Sequence, residues 1–158
     1  MKSFRILVLL LVIMLIGTCS LSLAATQTVT FEVQAINEIA TSGNPAALVV
    51  NAAIAGSEPT AVSDAITTYA ITTNETLKKI TGAIDTIMPA GTTLTVNLAA
   101  PTAATSLGAV PLTAVAADLV TGISTVAESG KTITYNFSAN VTAGVLVSAT
   151  KTVTLTIL

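Results

Sequence analysis

Eight carboxylates hold most of the acid–base capacity of this chain: Glu32, Glu38, Glu58, Asp64, Glu75, Asp85, Asp118 and Glu128. General acid–base or glycosidase chemistry needs two such groups brought to one site with different proton affinities. Here each stands alone, in a turn or on the polar side of an alternating stretch, where a carboxylate serves mainly to keep the surface solvated. Histidine is absent and the only cysteine is Cys19. That removes Ser-His-Asp and Cys-His nucleophiles, histidine-based zinc sites and the usual base near neutral pH. No glycine-rich phosphate loop, dinucleotide fingerprint or D-x-D-x-D-G calcium loop occurs. The composition therefore predicts a protein that is not an enzyme and needs no cofactor.

Lys151 is the one cation whose position invites chemistry. If Val145–Leu158 is an unbroken strand, it shares the inward parity of Val147, Val153, Leu155 and Ile157. An inward lysine is costly unless it is paired or consumed. An isopeptide bond to an asparagine, assisted by an acid, would consume it; Asn136 and Glu32 have the right chemistry. A break at Ser148–Thr150 that turns Lys151 outward is the expected alternative. Three N-x-S/T sequons, at Asn74, Asn136 and Asn140, could accept glycans in a host that glycosylates.

Residues 1–24 read as a secretory signal peptide. Lys2 and Arg5 precede the apolar run Ile6–Ile16, and Ser22-Leu23-Ala24 offers a small-x-small cleavage site. Cys19 then leaves with the peptide, unless it carries a lipid. The expected mature chain, 25–158, is one domain in size. It retains four lysines against eight acids, which is 4 − 8 = −4. Sparse charge of this sign fits neither nucleic acid nor an anionic membrane surface, and no later stretch predicts a membrane span.

Period-two alternation dominates the remainder. Val29, Phe31, Val33 and Ala35 alternate with Thr28, Thr30, Glu32 and Gln34, predicting a first strand over 26–35. Shorter strands are expected at 47–51, 67–73, 77–85, 92–99, 109–114 and 119–127. Gly82, in parity with Ile80 and Ile84, marks a bulge or a close backbone approach. Pro111 marks an edge strand. Glu128-Ser129-Gly130 reads as a hairpin turn into Lys131–Ala139, and Val145–Leu158 closes the chain after a break at Asn140–Gly144. One helical turn at 61–65 is conceivable from composition. Eight to ten short strands spaced by turn signals predict an antiparallel, immunoglobulin-like β-sandwich.

The closing segment, ITYNFSANVTAGVLVSATKTVTLTIL over Ile133–Leu158, resembles the last strands of bacterial surface and fimbrial-type sandwich domains. It is also similar to WxL-type cell-wall domains, but it lacks their tryptophan motif, so peptidoglycan binding does not carry over. An exported single β-domain without catalytic residues predicts a secreted, cell-surface or periplasmic structural or adhesive protein whose partners are itself or other envelope proteins, in keeping with the resemblance. The alternating residues Val29, Phe31, Val33 and Ala35, at the start of the expected mature chain, are a candidate intermolecular strand. The alternative is an extracellular module binding carbohydrate or a protein, although the chain has no tryptophan for stacking on sugars.

Overall fold

The computed structural model describes residues 24–158. The predicted leader up to Leu23, with Cys19, lies outside the described residues. The chain divides into two units, Met1–Val33 and Gln34–Leu158. In the first, residues 24–33 form no helix or strand, and all are exposed.

The second unit is an all-β sandwich of two antiparallel sheets. Its strands are β1 (Asn37–Thr41), β2 (Val62–Thr73), β3 (Lys78–Ile84), β4 (Thr92–Leu98), β5 (Thr105–Ser106), β6 (Val110–Pro111), β7 (Ala117–Ile123), β8 (Val126–Ala139) and β9 (Val153–Ile157). One sheet runs β1-β2-β8-β4-β6 and the other β5-β7-β3-β9. Among the described residues there is no α-helix, only a single 3-10 turn over Val141–Ala143.

The alternation that predicts the strands also builds the core. Tyr69 and Ile71 of β2, Leu94, Val96 and Leu98 of β4, and Ile133 and Tyr135 of β8 face the other sheet. They meet Ile80 and Ile84 of β3 and Leu119, Val120 and Ile123 of β7. Threonines occupy most intervening positions, where a hydroxyl keeps its access to water.

Bulges explain where the sequence period slips. Between Asp64↔Tyr135 and Thr67↔Ile133, β2 carries one extra residue, which moves the inward parity from even to odd and leaves Ile66 exposed. Between Ile80↔Val120 and Thr81↔Asp118, β7 carries Leu119 as the extra residue, so Leu119 and Val120 both face inward. Gly82 makes room for it: a Cβ there would lie 2.6 Å from Leu119 Cδ1.

Five sequence expectations are corrected. Residues 26–35 make no strand, and the first paired strand is β1. The 47–51 segment forms none either. The helical turn conceivable at 61–65 does not form; the segment is instead the start of β2, whose partner β8 is long enough to hold it extended. Glu128-Ser129-Gly130 is not a hairpin turn. It is a bulge inside β8, between Tyr69↔Lys131 and Ile71↔Glu128, with Gly130 at φ +68°. A glycine at positive φ suits a bulge as well as a turn. The reversal comes earlier, at Ser124–Thr125, where the chain changes sheets. Finally, β9 spans only 153–157, because its partner β3 ends at Ile84.

Candidate interaction surface: the arm, its clamp and the sheet edges

The candidate intermolecular residues lie in two settings. Val29, Phe31 and Val33 are 75%, 89% and 80% exposed, and Thr28, Thr30 and Glu32 between them are exposed as well. Ala35 is exposed and belongs to the second unit. Residues 24–33 thus form an arm that carries a strand pattern without a strand partner.

The second unit grips the chain directly after this arm. Asn74 Nδ2 donates to the Gln34 carbonyl at 2.7 Å, and Asn74 Oδ1 accepts from the Ile36 amide at 2.8 Å. A C=O and the N–H two residues on are the pair that a neighbouring strand would engage. One side-chain amide therefore replaces a strand partner and prolongs the β1 ladder backwards. The Asn74 amide N–H adds a 3.3 Å bond to the Ile36 carbonyl.

A polar cluster secures the same corner. Asn37 Nδ2 donates to Glu75 Oε2, which also pairs with Lys78 Nζ at 2.8 Å. The Thr73 hydroxyl donates to Asn37 Oδ1 at 2.8 Å and accepts from the Glu75 amide at 3.1 Å. Lys78, followed by Asn37, holds the Glu75 carboxyl below the usual range. In the sequence Asn74 stands out only as a sequon. The signal missed there is a side chain whose donor and acceptor together match an extended backbone.

Four strands form the sheet edges, and they are unequal. β5 and β6 have two residues each, and β6 ends in Pro111, which has no N–H to offer. In β1, Ile36 and Ser42 bond toward β2. Alternation therefore turns the backbone groups of Asn37, Ile39 and Thr41 away from the sheet. In β9, Leu158 and Lys79 exchange two bonds at 3.0 and 2.9 Å, and the Asp85 amide donates to Thr152 O. By the same rule Val153, Leu155 and Ile157 present free backbone groups outward. Their side chains are half-buried against the core.

Lys151 sits at the start of this edge, half-buried. Its Nζ donates to Thr86 Oγ1 at 2.6 Å and to the Ile87 carbonyl at 3.0 Å. Asn136 donates to Ser63 Oγ, and Glu32 is exposed on the arm. The hydrogen bonds of Lys151 and Asn136 thus go to different neighbours. No group of three or more acids, cysteines or histidines that could hold a metal occurs among the described residues.

Two further polar sites lie where β2 pairs with β8, at Tyr69 opposite Lys131 and at Glu128 opposite Ile71. Tyr69 is buried, and its hydroxyl donates to the Ala99 carbonyl at 2.6 Å. Burial, aided by the negative charge of Glu128, pushes this phenol up to about 12. Glu128 pairs with Lys131 and accepts from the Thr102 amide at 3.0 Å; Lys131 first, then Thr102, hold its carboxyl at about 2. An apolar cleft of about 480 Å³ lies between residues 87–94 and 111–115, lined by Met88, Leu94, Pro111 and Leu112 among others. No family model, no curated protein and no solved structure matches this chain.

Proposed function

We propose that this chain is a secreted or cell-surface, non-enzymatic structural or adhesive subunit that assembles with copies of itself or with other envelope proteins. The observation that carries the reading is the arm. Three large apolar side chains, Val29, Phe31 and Val33, alternate with polar ones and are at least three-quarters exposed. Such a pattern gains stability only when a second surface takes its apolar face and its backbone bonds. The missing acid–base constellation in the sequence fits a structural role, as does the resemblance of Ile133–Leu158 to surface-domain closing strands.

Electron microscopy of negatively stained protein, with light scattering over a concentration series, tests the reading. A chain starting at Ala25 should form regular assemblies, and one starting at Gln34 should not. Beginning at Gln34 removes the arm and spares the Asn74 clamp. A monomer at every concentration in the longer chain overturns the proposal.

The cleft beside Met88 and Leu112 favours one second reading, a binding module for an apolar protein segment. Carbohydrate fits less well: Tyr69 and Tyr135 are buried and Phe137 is partly buried, so among the described residues Phe31 alone offers an open ring. A glycan array without hits, together with a monomeric protein, would shift weight to a protein ligand.

A further inference from the structure

We infer that the acceptor for the arm is the free edge of β9 in a second copy of this chain, with Phe31 lying beside Leu155. The inference rests on the assembly reading above and adds the surface on which assembly occurs.

Elimination among the four edges carries the first half of the argument. With two residues each, β5 and β6 are too short to pair with all three apolar residues of the arm, and Pro111 blunts β6 further. β1 is long enough, but its outward-bonding, inward-facing positions are Asn37, Ile39 and Thr41. Two of these three are polar, and Asn37 is already committed to Glu75 and Thr73. β1 also carries the charge of Glu38 as its second residue. β9 has none of these protections. From Thr152 to Leu158 it holds no charge, no proline and no glycine, and its pairing with β3 runs through five consecutive residues without a bulge.

Complementarity carries the second half. Val153, Leu155 and Ile157 each offer one N–H and one C=O to a neighbour, and their side chains face the core while still partly uncovered. The arm supplies three apolar residues at the same spacing, Val29, Phe31 and Val33. Partners opposite one another across a ladder point to the same face. Every ladder in both sheets is antiparallel. An arm added in that sense sets Val29 beside Ile157, Phe31 beside Leu155 and Val33 beside Val153. Phe31 and Leu155 remain central if the arm runs the other way. Thr28, Thr30 and Glu32 then continue the polar face of Thr152, Thr154 and Thr156.

Site-specific crosslinking of the full chain in a Cys19→Ser background tests this placement. Chains carrying Phe31→Cys and chains carrying Leu155→Cys are mixed in equal amounts and oxidised after assembly. A hydrogen-bonded antiparallel pair holds its Cα atoms about 5.5 Å apart, within disulfide reach. The expected product is a disulfide dimer between the two variants, absent when either is oxidised alone. A parallel mixture replaces Leu155→Cys with Ile39→Cys on β1. Assemblies that crosslink through position 39 and not 155 overturn the β9 inference and leave the assembly reading standing. Unmodified protein that never assembles overturns both. Leu155 is partly buried, so Val153→Cys with Val33→Cys provides a second pair if the first variant fails to fold; folded, assembled chains without either crosslink also overturn the inference.

Discussion

Asn74 holds Gln34 as a strand would, with its side-chain amide donating to the Gln34 carbonyl at 2.7 Å while its oxygen takes the Ile36 amide. This is the point at which the unpaired arm becomes paired structure. Asn74→Ala removes both bonds, each worth about 1 kcal/mol net, and leaves the ladder of β1 to begin at Asn37. The expected result is hydrogen exchange at Ile36 faster by about tenfold or more, earlier proteolysis near residues 34–36, and a fall in global stability of up to about 2 kcal/mol. Unchanged exchange at Ile36 would show that the remaining Asn74 backbone bond suffices.

The strands of the core were legible because their two faces differ: β4 and the part of β8 that pairs with it, Ile133–Ala139, alternate Leu, Val, Ile or Tyr with Thr and Asn, and no register shift interrupts their ladder. Elsewhere the same period misled. The arm alternates as well as β4 does, yet it lacks a partner, and pairing is a property of neighbours that a period cannot report. Gly130 promised a turn because a glycine at positive φ serves turns and bulges alike. The Asn74 clamp left no trace beyond one asparagine, since what defines it is the register between residues 34–36 and 74. The inequality of the sheet edges, on which the interaction surface depends, was half visible: Pro111 announced one blunted edge, but strand order decides which others are exposed.

Gly82 is fixed by packing. A Cβ at this position would stand 2.6 Å from Leu119 Cδ1 and 3.3 Å from Leu112 Cδ2. Leu119 is fully buried as the extra residue of the β7 bulge, so it cannot swing into solvent. Gly82→Ala should therefore destabilise the sandwich by about 1–3 kcal/mol, the range for overpacking a dense core. Urea denaturation measures it, and an unshifted midpoint would mean that the bulge relaxes.

Thr67 offers the opposite case. It is 3% exposed, and its hydroxyl finds no hydrogen-bond partner among the described residues. A buried hydroxyl without a partner carries a desolvation penalty of about 1–3 kcal/mol. Valine has nearly the same shape and the same preference for strands. Thr67→Val should raise the stability by about 1 kcal/mol. Calorimetry giving a lower melting temperature would indicate that the hydroxyl is satisfied in solution, by a buried water for example.

Glu128 makes folding depend on acid. Its carboxyl sits at about 2, against 4.5 for an unperturbed glutamate, because Lys131 and Thr102 bind its charged form. A carboxyl that is more acidic in the folded state contributes stability above the unfolded value. That contribution fades as pH falls from about 4.5 toward 2, where the folded chain must take up the proton too. Glu128→Gln lacks the charge at every pH. Melting temperatures of the two proteins should therefore differ most near neutrality, with the wild type higher, and converge toward pH 2. The pair is partly open to solvent, so added salt should narrow the neutral-pH gap as well. A gap that stays constant from pH 7 to 2 would mean that glutamine loses packing or a neutral hydrogen bond, not the charge interaction with Lys131.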